Sequence, residues 1–229
     1  TMVIKTIIMV SLYLAPFILI LTMNPPGWLA FIYVVIMGIG IAGTGMGVMH
    51  DAVHGSYSKK KWINNLLGGT LYLLGSNVLN WKIQHNVLHH TYTNINEYDE
   101  DIESKGPIRL AENAVLKRIH KHQYIHAFFF YGFMTLLKIF NEFKQLAKYN
   151  RLGITKGQDL NPMTEYLKMV FRKAVYLVII IGLPIYYTDF TWWQVLIGFF
   201  VMHWVAGVIL AVIFQLAHVV EGAIQPMPD

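Results

Sequence analysis

Two short boxes carry the residues of this chain best suited to chemistry: His50-Asp51-Ala52-Val53-His54, and further along His85-Asn86-Val87-Leu88-His89-His90. Residues four apart on a helix share one face about one turn apart. His50 with His54, and His85 with His89, can therefore each converge on a metal ion as neutral ligands. His90 points roughly 100° away from His89 at the helical period and can serve a second ion, so the pattern predicts a two-metal site. The chain has no cysteine, which excludes thiolate ligation and leaves nitrogen and oxygen donors. Three histidines within six residues do not read as packing, and ionisable groups beside a membrane are functional candidates by default.

Oxygen-bearing side chains stand beside the imidazoles: Asp51, Asn86, Asn94, Glu97, Asp99 and Asp101. A metal-bound histidine usually donates its other ring N–H to a carboxylate, amide or carbonyl. Asp51, Asn86, Asn94 and Asp99 are accordingly expected to orient the imidazoles from behind, while the run from Asp99 to Glu103 reads equally as a solvated acidic stretch. His218, after the last apolar segment, is a candidate sixth ligand. His120, His122 and His126 fall in a basic region and are expected to be solvated or interfacial. His203 lies inside an apolar segment, where a hydrogen bond between packed helices is the expectation.

The elements that must position these residues are apolar. A mean hydropathy of +0.44 with 55% hydrophobic and 14% charged residues falls well short of the charge of a soluble domain, where about a quarter of residues are charged. An all-α integral membrane fold is predicted. Four stretches, approximately 2–22, 28–49, 171–188 and 191–214, approach the roughly 20 residues needed to cross a bilayer; Arg172 and Lys173 stand at the start of the third. The first is too long for a signal-peptide core and reads as a retained span, with Pro16 tolerated as it is in membrane helices. Glycines 38, 40, 43, 45 and 47 lead directly into His50 and permit close helix packing.

Charge sets the topology. The turns Leu21 to Gly27 and Thr188 to Thr191 carry no Lys or Arg, and 17 of the 18 basic residues, all but Lys5, fall between Lys59 and Lys173. The positive-inside rule places that segment, with both boxes, in the cytoplasm, giving four crossings with both ends inside. Topology and anionic headgroups account for a pI of about 9.2, and no motif points to nucleic acid. Residues 63–80 are apolar with polar ends and interrupting glycines; read as an interfacial or re-entrant segment, they keep both boxes on one side. The aromatic-rich stretch 124–148 suits a helix lying in the interface.

The two boxes, with Thr91-Tyr92-Thr93-Asn94 after the second and Phe214-Gln215-Leu216-Ala217-His218-Val219-Val220-Glu221 near the end, resemble the membrane fatty acid desaturases, within them the bacterial branch similar to linoleoyl-CoA and front-end desaturases. The resemblance spans nearly the whole chain, read as one domain over 1–229. It implies two non-haem irons held by histidines from three boxes, with O₂ as co-substrate, removing two hydrogens from an acyl-CoA or acyl-lipid chain. On that basis His50, His54, His85, His89, His90 and His218 are iron ligands. Imidazole suits iron, and such O₂ chemistry belongs to a cofactor. Electrons are expected from a ferredoxin-like or cytochrome partner. The third box, usually Gln-x-x-His-His, is absent up to Asp229, so the domain is expected to be incomplete at its C-terminus and these residues alone to bind iron incompletely. Two other readings are a hydroxylase or ketolase with similar boxes, and a four-span haem protein that carries electrons through axial histidines.

Overall fold

Hydrocarbon offers the backbone no hydrogen-bond partners, so an apolar chain crosses it as helix. The computed structural model describes residues 2–95, 98–100, 102, 106–111 and 114–218, and for Ala217 and His218 the backbone alone. In chain order the helices are α1 (Met2–Met23), α2 (Gly27–Val53), α3 (Lys61–Gly68), which tightens into a 3₁₀ turn over Gly69–Leu74, α4 (Val78–Trp81), which continues as a π-helix through Lys82–His89, α5 (Gln123–Tyr131), α6 (Met134–Arg151), α7 (Pro162–Tyr187) and α8 (Trp192–His218). Among the described residues there is no strand.

Helices α1, α2, α7 and α8 are long and apolar enough to cross a membrane. The α1 and α8 helices each pack against both α2 and α7. Glycine sets the closest approaches: a Cβ on Gly40 would stand 2.5 Å from the Tyr13 backbone nitrogen, and one on Gly38 2.7 Å from the Met202 carbonyl oxygen. The two turns that lack Lys and Arg meet at one end, where Asp189 N–H donates to Asn24 Oδ1 at 3.2 Å and the Asn24 amide returns a bond to Asp189. The third span starts earlier than its apolar run, because Asn161 caps Thr164 N–H at 3.0 Å with Pro162 in the first turn. Arg172 and Lys173 thus lie inside α7, each compensated. The Arg172 guanidinium lies 4.0 Å from the Tyr72 ring centroid, and Lys173 pairs with Glu142 at 2.7 Å.

Between the second and third spans the chain makes two re-entrant hairpins. The first descends from Gly68, beside Val53, to Leu73, whose carbonyl accepts from Tyr13 Oη at 2.8 Å. It turns at Gly75 (φ +78°) against the Tyr176 ring and returns along α4 to the first histidine box. Counted from Asn24 at 1.5 Å per residue, Tyr13 is about 16 Å deep, roughly half of a ~30 Å core. The re-entrant reading of 63–80 is the one this geometry supports.

The second hairpin corrects the expectation of one interfacial helix over 124–148. The helix breaks at Gly132-Phe133, and its tip presses against the middle of α8. Thr135 Oγ1 donates to the His203 carbonyl at 2.7 Å, Trp204 Nε1 donates to the Phe129 carbonyl at 3.2 Å, and the Phe133 and Phe200 rings lie 5.7 Å apart. The physical reason is a contact between small residues: a Cβ on Gly207 would stand 2.5 Å from the Gly132 carbonyl oxygen. His203, fully buried, joins α7 to α6 through Tyr176 Oη (2.7 Å) and Thr135 Oγ1 (3.2 Å), the helix-packing role expected of it. His120 and His126, expected to be solvated or interfacial, both meet loop carbonyls. His120 is buried, accepts from Lys117 N–H at 3.1 Å and meets the Gly106 carbonyl at 3.2 Å, while His126 meets the Pro107 carbonyl at 3.2 Å. Carbonyls of the loop before α5 need donors where the chain enters an apolar surface, and these rings supply them.

The tip of the first hairpin depends on one ion pair. Lys173 Nζ donates to the Gly75 carbonyl at 2.9 Å, and the Glu142 carboxylate accepts from Asn77 N–H at 2.9 Å and from the Ser76 hydroxyl. Glu142→Leu strands the Lys173 charge and is expected to cost about 3–5 kcal/mol, read as a lowered unfolding midpoint in detergent. The double variant Glu142→Leu with Lys173→Met is expected to recover part of that loss.

Candidate metal centre

All five box histidines come together at the end opposite the Asn24–Asp189 turns. The His50 and His54 ring centroids are 4.5 Å apart, and His85 lies 5.4 Å from the first and 5.2 Å from the second. One ring nitrogen from each of these three lies within 4.8 Å of the others, close enough to share an ion. His85 and His89 stack at 5.0 Å with 12° between their planes, and His90 stands 5.0 Å from both His54 and His85.

Helical winding brings this about. With an ordinary period His90 would point away from His89. In the π-wound segment Lys82–His89 the hydrogen bonds run i→i+5, so positions four and five residues beyond His85 both fall near its face. The result is one cluster instead of a pair with an outlier. A second π turn, Gly45–Met49, directly precedes His50, so each box adjoins such a distortion.

The carboxylates divide the orienting work. Asp99, fully buried, lies 2.9 and 3.0 Å from His89 Nδ1, which favours the proton on Nδ1 and makes Nε2 the nitrogen suited to take a metal. Asp99 is itself held by Asn94 N–H at 2.9 Å, from a residue with φ +63°. Asp51 stands 3.4 Å from His50 Nδ1 and pairs with Lys5 across the helix boundary at 3.1 Å. Asn86 acts on the backbone instead of an imidazole: its Nδ2 donates to the Val53 carbonyl at 3.4 Å, which ties the second box to the first. Asn94 contributes its main-chain N–H, not the side chain expected of it. Glu97, Asp101 and the His218 side chain lie outside the described residues; the described α8 backbone includes His218.

The sequence reading missed Trp81. This buried indole packs 4.6 Å from His85 and edge-on at 5.7 Å to His50 and His54, closing the inner wall of the cluster. Its position four residues before His85 is the signal that would have found it. Lys5, the one basic residue outside the central segment, was missed as the partner of Asp51. The cluster is graded in depth, with His85 and His89 buried and His90 exposed. Burial, followed by the neighbouring imidazoles of His50, His85 and His90, holds the His54 pKa down at about 4. That ring is neutral near pH 7 and competent as a ligand.

A family model described as fatty acid desaturase matches residues 26–227. This chain belongs to the fatty acid desaturase family. It is 29% identical over 205 residues to an sn-1 linoleoyl-lipid 6-desaturase of Arthrospira platensis, covering 88% of this chain and 54% of that protein. A Synechocystis sp. protein of the same description is 30% identical over 194 residues, covering 85% of this chain and 54% of the relative. An acyl-lipid (8-3)-desaturase of Physcomitrium patens is 28% identical over the full chain, covering 48% of that protein. The chain thus spans about half the length of these relatives, and no solved structure matches it. Family membership overturns the haem reading. The geometry agrees, since the box histidines share one site and do not face one another across spans, and His203 is engaged by Tyr176 and Thr135.

In this desaturase-family chain, Asp99→Ala is expected to weaken Co²⁺ binding by about 10- to 100-fold, measured by titration of the visible absorption. Acid is expected to destabilise the metal-free protein. The unfolded chain takes up protons at His54 near pH 6.5 and the folded one only near 4, so this contribution is whole above about 6.5 and is lost as pH falls towards 4. Unfolding midpoints across that window check the slope, and His54→Asn is expected to flatten it.

Proposed function

We propose that this chain is part of a membrane acyl-lipid desaturase, with residues 1–229 as one membrane domain, whose five box histidines hold most of a non-haem diiron site. The observation that carries this reading is the convergence of His50, His54, His85, His89 and His90 on one face, with buried Asp99 behind His89. The donor set fits the metal: several neutral imidazole nitrogens without thiolate suit iron. His218, at the end of α8, is proposed as a further ligand. When bound, iron would supply activation of O₂, which is needed because hydrogen abstraction from an unactivated methylene exceeds side-chain acid–base chemistry.

The protein's own groups hold and shield. Asp99 and Asp51 orient His89 and His50, Trp81 closes the inner wall, and the exposed His90 marks the side from which further ligands would approach. Overall, two C–H bonds of adjacent methylenes break and a C=C bond forms. O₂ is reduced to two waters with two electrons and two protons from an external donor, proposed to be ferredoxin-like or a cytochrome. The relatives' names support a lipid-bound acyl substrate in preference to acyl-CoA. The concentration of basic residues between Lys59 and Lys173 supports a cytoplasmic site.

The test uses the full-length protein. Purified anaerobically, it is expected to bind two irons; expressed in a host lacking desaturases, it is expected to produce membrane lipids lacking two hydrogens by mass spectrometry, and His85→Asn to abolish both. An added oxygen atom in the product would assign it instead to the hydroxylases or ketolases, and product confined to the acyl-CoA pool would overturn the lipid substrate.

A further inference from the structure

Helix α6 carries no histidine, yet one of its side chains ties the helix of the second box to the segment that carries Asp99. The Gln145 amide oxygen accepts from Asn80 Nδ2 at 3.0 Å, and its NH₂ group donates to Gln84 Oε1 at 3.0 Å and to Glu100 Oε2 at 2.7 Å. Asn80 and Gln84 lie four residues apart on the helix that carries the second box, directly before Trp81 and His85. Glu100 directly follows Asp99, the residue that holds His89.

We propose that Gln145 is a positioning residue of the metal centre, whose carboxamide fixes the second histidine box against the Asp99 segment so that His89 Nε2 faces the other imidazoles. This rests on the reading of the boxes as an iron site. The chemistry of the side chain is specific. One acceptor must face the Asn80 amide while two N–H donors face Gln84 and a carboxylate, and only a primary amide offers both. A Glu here would keep the acceptor but lose both donors and confront Glu100 with like charge. Leu would lose all three bonds.

The surroundings show that the anchor is built. Asn80 is fully buried and also donates to the Glu142 carbonyl at 2.9 Å. Glu100 accepts further bonds from Lys148 Nζ and Tyr149 Oη, both at 2.7 Å. Burial alone would push its carboxyl pKa up; the bonds from Lys148, Tyr149 and Gln145 outweigh that and leave it below the usual value. The acceptor for Gln145 is therefore a carboxylate, and its bond charge-assisted. Without Gln145, Glu100 stays attached to α6 through Lys148 and Tyr149, while Lys138 Nζ makes a longer contact to Gln84 at 3.3 Å. The alignment of the Asp99 segment with α4 then loses one of its fixed bonds with nothing unfolding.

The experiment compares full-length protein in nanodiscs with Gln145→Glu and Gln145→Leu, with Glu142→Leu as a stability control. Both Gln145 variants are expected to bind Co²⁺ about tenfold more weakly with an altered d–d spectrum. In the metal-free state amide exchange is expected to quicken over 82–90 and 98–100 and to stay unchanged over α1 and α2. The Gln145 variants are expected to keep the unfolding midpoint that Glu142→Leu lowers, which separates loss of alignment from loss of stability. Unchanged Co²⁺ affinity and spectrum in Gln145→Glu, or exchange quickened throughout the bundle, would overturn the proposal, and that variant decides alone if Gln145→Leu does not fold. If the unmodified protein takes up no Co²⁺ at the boxes, shown by a titration insensitive to His85→Asn, the iron reading fails while the metal-free exchange still reports on Gln145.

Discussion

Backbone N–H and C=O groups find no partner in hydrocarbon, and this chain places two helix breaks at about half the depth of its spans. Everything between the second and third crossings depends on satisfying those breaks from within the protein. Lys173 and Glu142 do so at Gly75 to Asn77, and Trp204 does so before Gly132 by donating to the Phe129 carbonyl. A buried ion pair is poor evidence of stability when it could be exchanged for apolar residues. Here each charge also serves a main-chain group that no apolar side chain could serve, which is a physical reason for placing charge inside a span.

The re-entrant path has a functional consequence. Had residues 63–80 crossed fully, the two histidine boxes would lie on opposite faces of the bilayer. Turning at Gly75 returns α4 to the level of His50, and Asn86 closes the contact by bonding the Val53 carbonyl. The buried polar groups that let the chain turn in the membrane thus also assemble the metal centre. Two π-wound segments complete the arrangement, one leading into His50 and the other carrying His85 and His89. The wider winding costs hydrogen-bond geometry along both helices and is tolerated where several imidazoles must share one face.

Much of the site could be read in advance because its signals are local. His50 with His54, and His85 with His89, report their own pairing at four-residue spacing once the helix is granted, and Asp51 is legible because it adjoins His50. Trp81 and Gln145 were not legible. An indole in an apolar helix and a glutamine on an amphipathic one are ordinary in composition, and their roles arise only where α4 meets α2 and α6. His120 shows the same limit: its basic neighbourhood implied a solvated or interfacial ring, and the loop carbonyl it binds is fourteen residues away.

By itself, the sequence determined the membrane class, the four spans, the candidate metal-binding side chains and the gathering of cations into one segment. Each of these follows from composition or from spacing within a single helix, where periodicity and transfer energy act locally. Only the tertiary structure decided how 61–89 and 123–151 turn back against the spans, that His85, His89 and His90 form one cluster, and that Asp99 rather than Asn86 stands behind an imidazole. Those outcomes depend on which polar groups meet across elements, in an apolar medium where every unpaired donor or acceptor must find a partner.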